Sequence, residues 1–456
     1  MGNYQSGSLW QDTLGEKASP RASLSSSDTQ RSFDVAIMGA GYTGLWTALA
    51  LAKLQPELSI MVVEKEVAGF GASGRNGGWC SALFPTGIDA LIRQHGLAAT
   101  VALRQEMVNA VSSVGHWAKD LDIDCDFVAG GTMMLARNDI QVARGKAVLE
   151  ESSRAGVDQL EWREPDQTLQ ATDVQGGVFD PACARLHPAK LVRGLAKAAE
   201  QAGVQIVEHT EVTSFGPGFV QTNRGRISAD VVVNALEGYA SQLAQTKRST
   251  LPLYSLMIAT EPLPESFFEE IRLEHGMTFA DYRSLVIYGQ RTADNRIAFG
   301  GRGAPYHWGS GVSADYENVP RVFDALWSTL TDLFPSLVGH RVTHTWGGVL
   351  GVPRDWHTSV TLDNKTGIAR AGGYVGDGVA LSHLAGLTLA DLITGATTPR
   401  TALPFVGHTS RSWEPEPLRY LGATAAILGV GLADRIEART GKTSLASKLI
   451  APLTGH

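Results

Sequence analysis

A chain of 456 residues, 43% hydrophobic and 19% charged, has apolar content for more than one core, so two intertwined domains are expected. A net charge of −7 gives no electrostatic reason to expect nucleic acid. Three scattered cysteines (Cys80, Cys125, Cys183) with no CxxC pair argue against structural zinc, an iron–sulfur cluster or a disulfide framework, and no metal is expected.

Residues 1–30 are polar and serine-rich, read as an extended arm in which Trp10 is the one residue expected to dock on the body. They lack the apolar core of a signal peptide, and no apolar run in the chain is long enough to span a bilayer, so the cytoplasm is the expected compartment.

The apolar run Phe33–Met38 reads as a strand buried on both faces. It leads into Gly39-Ala40-Gly41-Tyr42-Thr43-Gly44, a G-x-G-x-x-G turn, followed by helix-forming residues to Leu54. Gly39 permits the tight turn, Gly41 lets backbone approach a pyrophosphate, and Gly44 lets the helix pack on the strand with its N-terminus facing the phosphates. Ile60–Val63 gives a second buried strand, closed by Glu64 and Lys65. Glu64 stands where a carboxylate hydrogen-bonds ribose hydroxyls. These residues define a dinucleotide site and leave NAD and FAD both open.

Gly71-Ala72-Ser73-Gly74-Arg75-Asn76-Gly77-Gly78-Trp79 is too glycine-rich for a stable helix or central strand and is expected to be a loop lying against a ligand. Helices are expected over 88–120, 139–155 and 189–202, the last opened by His187-Pro188. Strands are expected over Phe127 to Leu135, with a break at Gly130-Gly131, and over Val204 to Glu208 and Asp230 to Ala235. Tyr254–Thr260, Ser284–Tyr288 and Arg296–Gly300 point to a second, mainly antiparallel sheet. A helix over 320–334 follows, and Thr343 to Val349 and Ile368 to Val375 are expected to lead back to the first domain. Gly376-Asp377-Gly378 turns into a helix at Val379 and Ala380 that runs to Ile393. A tail helix, Leu418 to Ile436, is expected to lay an apolar face (Leu418, Leu421, Ala425, Ile427, Leu428, Leu432) on the body.

The first glycine motif, the run Gly71 to Gly78, and Gly373-Tyr374-Val375-Gly376-Asp377-Gly378 together resemble the D-amino-acid oxidase superfamily of FAD enzymes, and most nearly its γ-glutamylputrescine oxidoreductase-like branch. Cys125 to Gly131 and Trp346-Gly347-Gly348 are similar to that branch as well. The resemblance implies an α/β fold: a Rossmann-type, glutathione-reductase-like FAD-binding domain and a discontinuous α+β substrate domain built on a mainly antiparallel sheet. The FAD domain is assigned 31–90, 171–250 and 340–410, the substrate domain 91–170 and 251–339, and the helical tail 411–456.

The resemblance also implies roles. Gly39, Gly41 and Gly44 with Glu64 hold the ADP half, Ser73 to Trp79 run beside the pyrophosphate and isoalloxazine, and Gly376 to Ala380 present N–H groups to the flavin N1–C2=O edge. A helix N-terminus suits the charge that reduced flavin gathers there. The implied chemistry is hydride removal from the carbon beside a neutral amine nitrogen, with O2 or an electron carrier as acceptor and FAD held without a covalent bond. Arg302 and His307, which follow a strand of the second sheet, and Trp346 and Tyr254 are the candidate residues around the substrate, with Tyr306 beside them; Trp79 joins Trp346 as a possible flavin wall.

Glycine- and sarcosine-type relatives place a carboxylate-clamping arginine shortly after the Trp-x-Gly turn. Here Gly348-Val349-Leu350 stands in that stretch, and Arg354 comes only later. An amine without an α-carboxylate is therefore the favoured substrate. An amino-acid oxidase or dehydrogenase passing electrons to a carrier, and a non-catalytic flavin-binding partner protein, are the alternatives.

Overall fold

The computed structural model describes residues 5–15, 20–157, 159–440. The rest of the expected arm (1–4, 16–19) and of the tail (441–456) lies outside the described residues.

The run Ser32–Met38 forms the expected central strand. It is flanked in parallel by Ile60–Val63 and then Gln205–Val207 on one side, and by Gly225–Asn234 and then Ile368–Gly372 on the other. Val35, Ile37, Val62, Val232 and Val233 are all buried because helices cover this sheet. The helix Tyr42–Leu54 crosses the helix Gly378–Thr394 closely. A Cβ on Gly386 would lie 2.7 Å from Trp46 Cβ, so only glycine admits this approach.

Among the described residues the second sheet has nine strands. Its order is Gln5–Ser6, Val342–Val352, Leu251–Thr260, Ile297–Gly301, Ile287–Arg291, Thr278–Asp281, Thr132–Ala136, Gly176–Asp180, Glu161–Arg163. All neighbours are antiparallel except the first pair and the Thr278–Asp281/Thr132–Ala136 pair. One face packs Leu256, Ile258, Phe279, Phe299 and Val349 against Leu326, Leu330 and Phe334 in and after the helix Pro320–Leu333. The other face meets the first domain.

Three expectations change. Thr343 to Val349 does not lead back to the first sheet. It belongs to an eleven-residue strand of the second, paired along its length with Leu251–Thr260, and the return comes only at Ile368–Gly372. The strand expected from Phe127 starts at Thr132, with Val128 in an isolated bridge to Arg185. Gly131 turns there at φ +74°, and Gly130 backs onto the Gly276 backbone. The tail helix forms over Leu418–Thr440, but Leu418, Leu421, Ala425, Leu428 and Leu432 face outward. Polar anchors set its rotation instead. Asp434 accepts the Ser284 and Leu285 N–H groups at 2.7 Å, and Glu437 pairs with Arg144 at 2.8 Å.

The arm docks through Leu9 and Trp10, both buried among Met257, Ala298, Trp346 and Ala189. Below it, His187 caps the helix Pro188–Gln201, its Nδ1 accepting from Lys190 N at 3.2 Å while Nε2 lies 3.0 Å from Thr13 Oγ1. Thr13 Oγ1 donates to Leu9 O, so the imidazole is neutral with its proton on Nε2. Burial, with Lys190 beside it, pushes His187 down from 6.5 to about 4. Its folded value lies below the unfolded one, so the stability it contributes is held above pH 6.5 and lost as pH falls from there towards 4. Melting temperature is expected to fall across that window, and His187→Asn, which keeps a capping acceptor without a titrating ring, flattens the fall. An unchanged pH profile in the variant would exclude His187 as a source.

Candidate active site

Around the first glycine motif the chain has no room for side chains. Gly39 sits at φ +102°, and a Cβ on Gly44 would lie 2.1 Å from Gly39 O. Gly41 ends at the helix N-terminus with no capping side chain, and a Cβ there would come 2.9 Å from Ser73 Oγ. Ser73 Oγ in turn accepts the Tyr42 N–H at 2.8 Å. The Tyr42 and Thr43 side chains point back into the protein, to Pro188 O and to Tyr374 Oη, so Ala40 to Gly44 face the outside of the turn with backbone. Glu64, raised by burial, accepts Ala40 N at 2.9 Å and Glu66 N at 3.0 Å and stands at the end of its strand as the ribose partner requires. Lys65 is exposed and paired with Glu211, so its side chain does not join the site.

The loop Gly71–Trp79 is held from outside itself. Three consecutive carbonyls are taken: Arg75 O by Trp346 Nε1 at 2.8 Å, Asn76 O by Trp10 Nε1 at 2.8 Å, and Gly77 O by Gln290 Nε2. Asn76 closes the turn by donating to Ala72 O and Ser73 O, each at 3.1 Å, and by accepting Gly78 N at 2.8 Å. The Arg75 guanidinium pairs with Glu317 and lies over Phe70. Trp79 Nε1 donates to Gly289 O at 3.2 Å. Gly71 packs on Tyr239, Gly77 on Tyr288 and Gly78 on Gln290, where a Cβ would lie 3.0, 2.6 and 2.0 Å away; Ala72 approaches Gly348.

At the other end, Gly373, Val375 and Gly376 all carry positive φ (83°, 52° and 110°). For β-branched Val375 this is strained backbone. Arg302 Nη2 donates to Val375 O at 2.6 Å and fixes it there. Glu237, half-buried at φ +48°, accepts Gly351 N, Gly373 N (3.1 Å) and Tyr374 N (3.2 Å), tying the second sheet to the same turn. The turn opens the helix Gly378–Thr394, whose N-cap residue Asp377 makes no capping bond with its side chain. The N–H groups of Gly378, Val379 and Ala380 begin that helix, and Gly376 before them is exposed. Asp377 is raised to about 6 by burial, opposed by Arg302.

Pairing parity decides which side chains of the second sheet meet this groove. Leu253/Leu350, Ser255/Gly348 and Met257/Trp346 are register partners on the face that meets the loop, joined by Tyr288, Gly300 and Arg302. Tyr288 Oη lies 2.8 Å from Ser255 Oγ. Tyr254 and Val349 alternate to the opposite face. Tyr254 bonds to Ser313 and stacks edge-on to Tyr316, which corrects its expected place beside the substrate. His307 stacks flat on Tyr316, 3.4 Å between centroids, on that same far side, so it too lies away from the groove. Tyr306 bonds to Glu416 of the tail. Of the four candidates only Arg302 and Trp346 lie on the face that meets the loop, Trp346 being covered there by Trp10. Glu237, Gln290, Ser255 and Tyr288 escaped the sequence reading. Glu237 had one signal, an acid inside the apolar Ala235-Leu236-Glu237-Gly238 stretch after a buried strand.

The residues present fit FAD: glycine cradles that a Cβ would fill, a carboxylate at the strand end, and two helix N-termini whose own N-cap residues make no capping bond, one at each end of the groove. Cys80 is wholly buried in the core and raised well above its ordinary value, so it is not placed to attach the cofactor. Among the described residues no His/Cys/Asp/Glu group is placed to hold a metal.

The fold and the groove fit an FAD-dependent oxidoreductase. The family model described as DAO, FAD dependent oxidoreductase, matches residues 34–392, and the chain belongs to that family. It is 30% identical to gamma-glutamylputrescine oxidoreductase of Escherichia coli (strain K12), over 79% of this chain and 84% of that one. It is 26% identical to sarcosine oxidase subunit beta of Arthrobacter sp., over 83% and 91%. Among solved structures, glycine oxidase from Geobacillus kaustophilus superposes with a TM-score of 0.68 at 21% identity, covering 83% of this chain and 99% of the other.

Arg302→Met removes the bond that holds Val375 O. A hydrogen bond from a charged donor is worth about 1.5–3 kcal/mol, so FAD affinity is expected to fall about tenfold or more. Flavin-fluorescence titration of the refolded apoprotein measures this, with circular dichroism showing the fold intact.

Proposed function

We propose that the chain oxidises the C–N bond of an amine that carries no α-carboxylate, giving an imine that water hydrolyses to an aldehyde and an amine or ammonia, with O2 as acceptor and H2O2 as its product. The observation that carries this is the placement of Arg354. Its guanidinium lies 3.1 Å from Glu414 and over the Trp413 ring, not in the groove. The strand face where a carboxylate clamp would stand offers Gly348 and Leu350. Arg302, the cation that does line the groove, is committed to Val375 O and balanced by Asp377. The resemblance to gamma-glutamylputrescine oxidoreductase supports an amine substrate as well.

When bound, FAD accepts the hydride from the carbon beside the amine nitrogen. The chain's own contribution is position and environment. Leu253 and Leu350 give the groove an apolar wall, which disfavours an ammonium and so selects the neutral amine. Tyr288, raised by burial, stays a phenol and with Ser255 supplies the polar pair on that face. It is positioned to take a hydrogen bond with the substrate nitrogen and orient its C–H bond. The helix N-terminus at Gly378 stabilises the negative charge gained at the adjoining end of the cofactor.

Anaerobic mixing with diamines, monoamines and α-amino acids tests the reading. Amines without the carboxylate are expected to bleach the flavin, with one H2O2 formed per turnover in air, and Arg354→Ala is expected to leave kcat/KM unchanged. Bleaching by α-amino acids alone, with a loss of tenfold or more in Arg354→Ala, would reverse it. Tyr288→Phe is expected to lower kcat/KM about tenfold, the worth of one buried hydrogen bond.

A further inference from the structure

Beside the glycine-rich loop lies a cavity of about 230 Å³, walled by Trp10, Arg185, His187, Lys190, Gln290 and Asp294. Arg185 is only 4% exposed, on a short strand paired to Trp79–Ser81. Its Nε is buried without a partner, and among the described residues its guanidinium makes no hydrogen bond or ion pair. A buried cation in that condition calls for a counter-ion.

The other charges of the wall are already used. Lys190 holds Asp126 at 3.0 Å, and Asp294 holds Arg296 at 2.7 Å. His187 is neutral, with both nitrogens engaged by Lys190 N and Thr13. Gln290 gives its Nε2 to Gly77 O, but its Oε1 is buried with no partner. Two residues of the cavity lining therefore carry an unpartnered polar group: the guanidinium of Arg185, which wants an anion, and the amide oxygen of Gln290, which wants a donor.

We propose that this cavity binds a small monocarboxylate bearing a hydroxyl or N–H group, the carboxylate on Arg185 and the donor on Gln290 Oε1. The planar fork matches a carboxylate. A dianion is disfavoured, because Asp126 and Asp294 face the same space. The volume is roughly that of seven waters, enough for an acid of a few carbons. The site is separate from the substrate groove, yet Trp10 and Gln290 also hold the Asn76 and Gly77 carbonyls. A ligand there touches two of the three pins of the flavin loop and stabilises the loaded protein.

The test uses the FAD-loaded full chain, sodium lactate as probe and lactamide as its uncharged control, read by calorimetry and by melting temperature. Lactate is expected to bind and raise the melting temperature, lactamide to do neither, and Arg185→Met to weaken lactate at least about tenfold with an unaltered flavin spectrum. Ala293→Trp, a plug on the exposed rim, is expected to do the same and decides the matter where Arg185→Met does not fold. No lactate binding in the parent protein, a response undiminished in the variants, or lactate acting only as a competitor of the amine would overturn the proposal.

Discussion

The arrangement depends on three consecutive carbonyls. Arg75 O, Asn76 O and Gly77 O are each taken by a buried side chain from elsewhere: Trp346 and Gln290 from the second sheet and Trp10 from the arm. A stretch with glycine at 71, 74, 77 and 78 has little conformational preference of its own and loses much entropy on ordering. It holds one shape because its carbonyls are spent on outside donors, leaving the opposite side of the loop for a ligand. The same bonds join the two domains, so the cofactor groove and the domain junction are one structure. The arm is part of it, since Trp10 packs edge-on against Trp346 and His187.

The far end of the groove uses charge for the same purpose. Val375 adopts a left-handed backbone that a β-branched residue avoids; Arg302 holds its carbonyl, and Glu237 holds the N–H groups of Gly373 and Tyr374 just before it. Glu237 is raised by burial, yet three backbone N–H groups converge on it, which is how a buried acid becomes a cross-link. The result is a helix N-terminus that arrives without a capping bond from Asp377. Its N–H groups are free for an anion because other residues absorb the strain of delivering them.

Most of the first domain was legible because its signals are local. An apolar run, a glycine turn, a helix and an acid follow one another from Phe33 to Glu64, and each carries its own physical reason. The second sheet was legible as strands but not as a surface. Tyr254 and Ser255 are neighbours, and only the register with Val349 and Gly348 tells which one meets the loop. His307 went astray for a related reason: it leaves the sheet after Arg302 and folds to the far side onto Tyr316. The tail helix was found, but its rotation answers to Asp434 and Glu437, polar anchors that an apolar-stripe argument gives no weight.

This division bears on how such a chain changes substrate. The loop pins meet backbone carbonyls and the glycine cradles leave no room for a Cβ, so variation there disturbs the loop itself. The face of the second sheet that meets the loop carries side chains at Leu253, Ser255, Tyr288 and Leu350. On two adjacent strands these residues alternate with core residues such as Leu256 and Val349. A single exchange at position 350 or 253 alters the groove without touching that core, whereas a one-residue slip in register would exchange groove for core along the whole strand. The side chains of that face are therefore free to vary by substitution, while the long pairing of Leu251–Thr260 with Val342–Val352 keeps the register fixed.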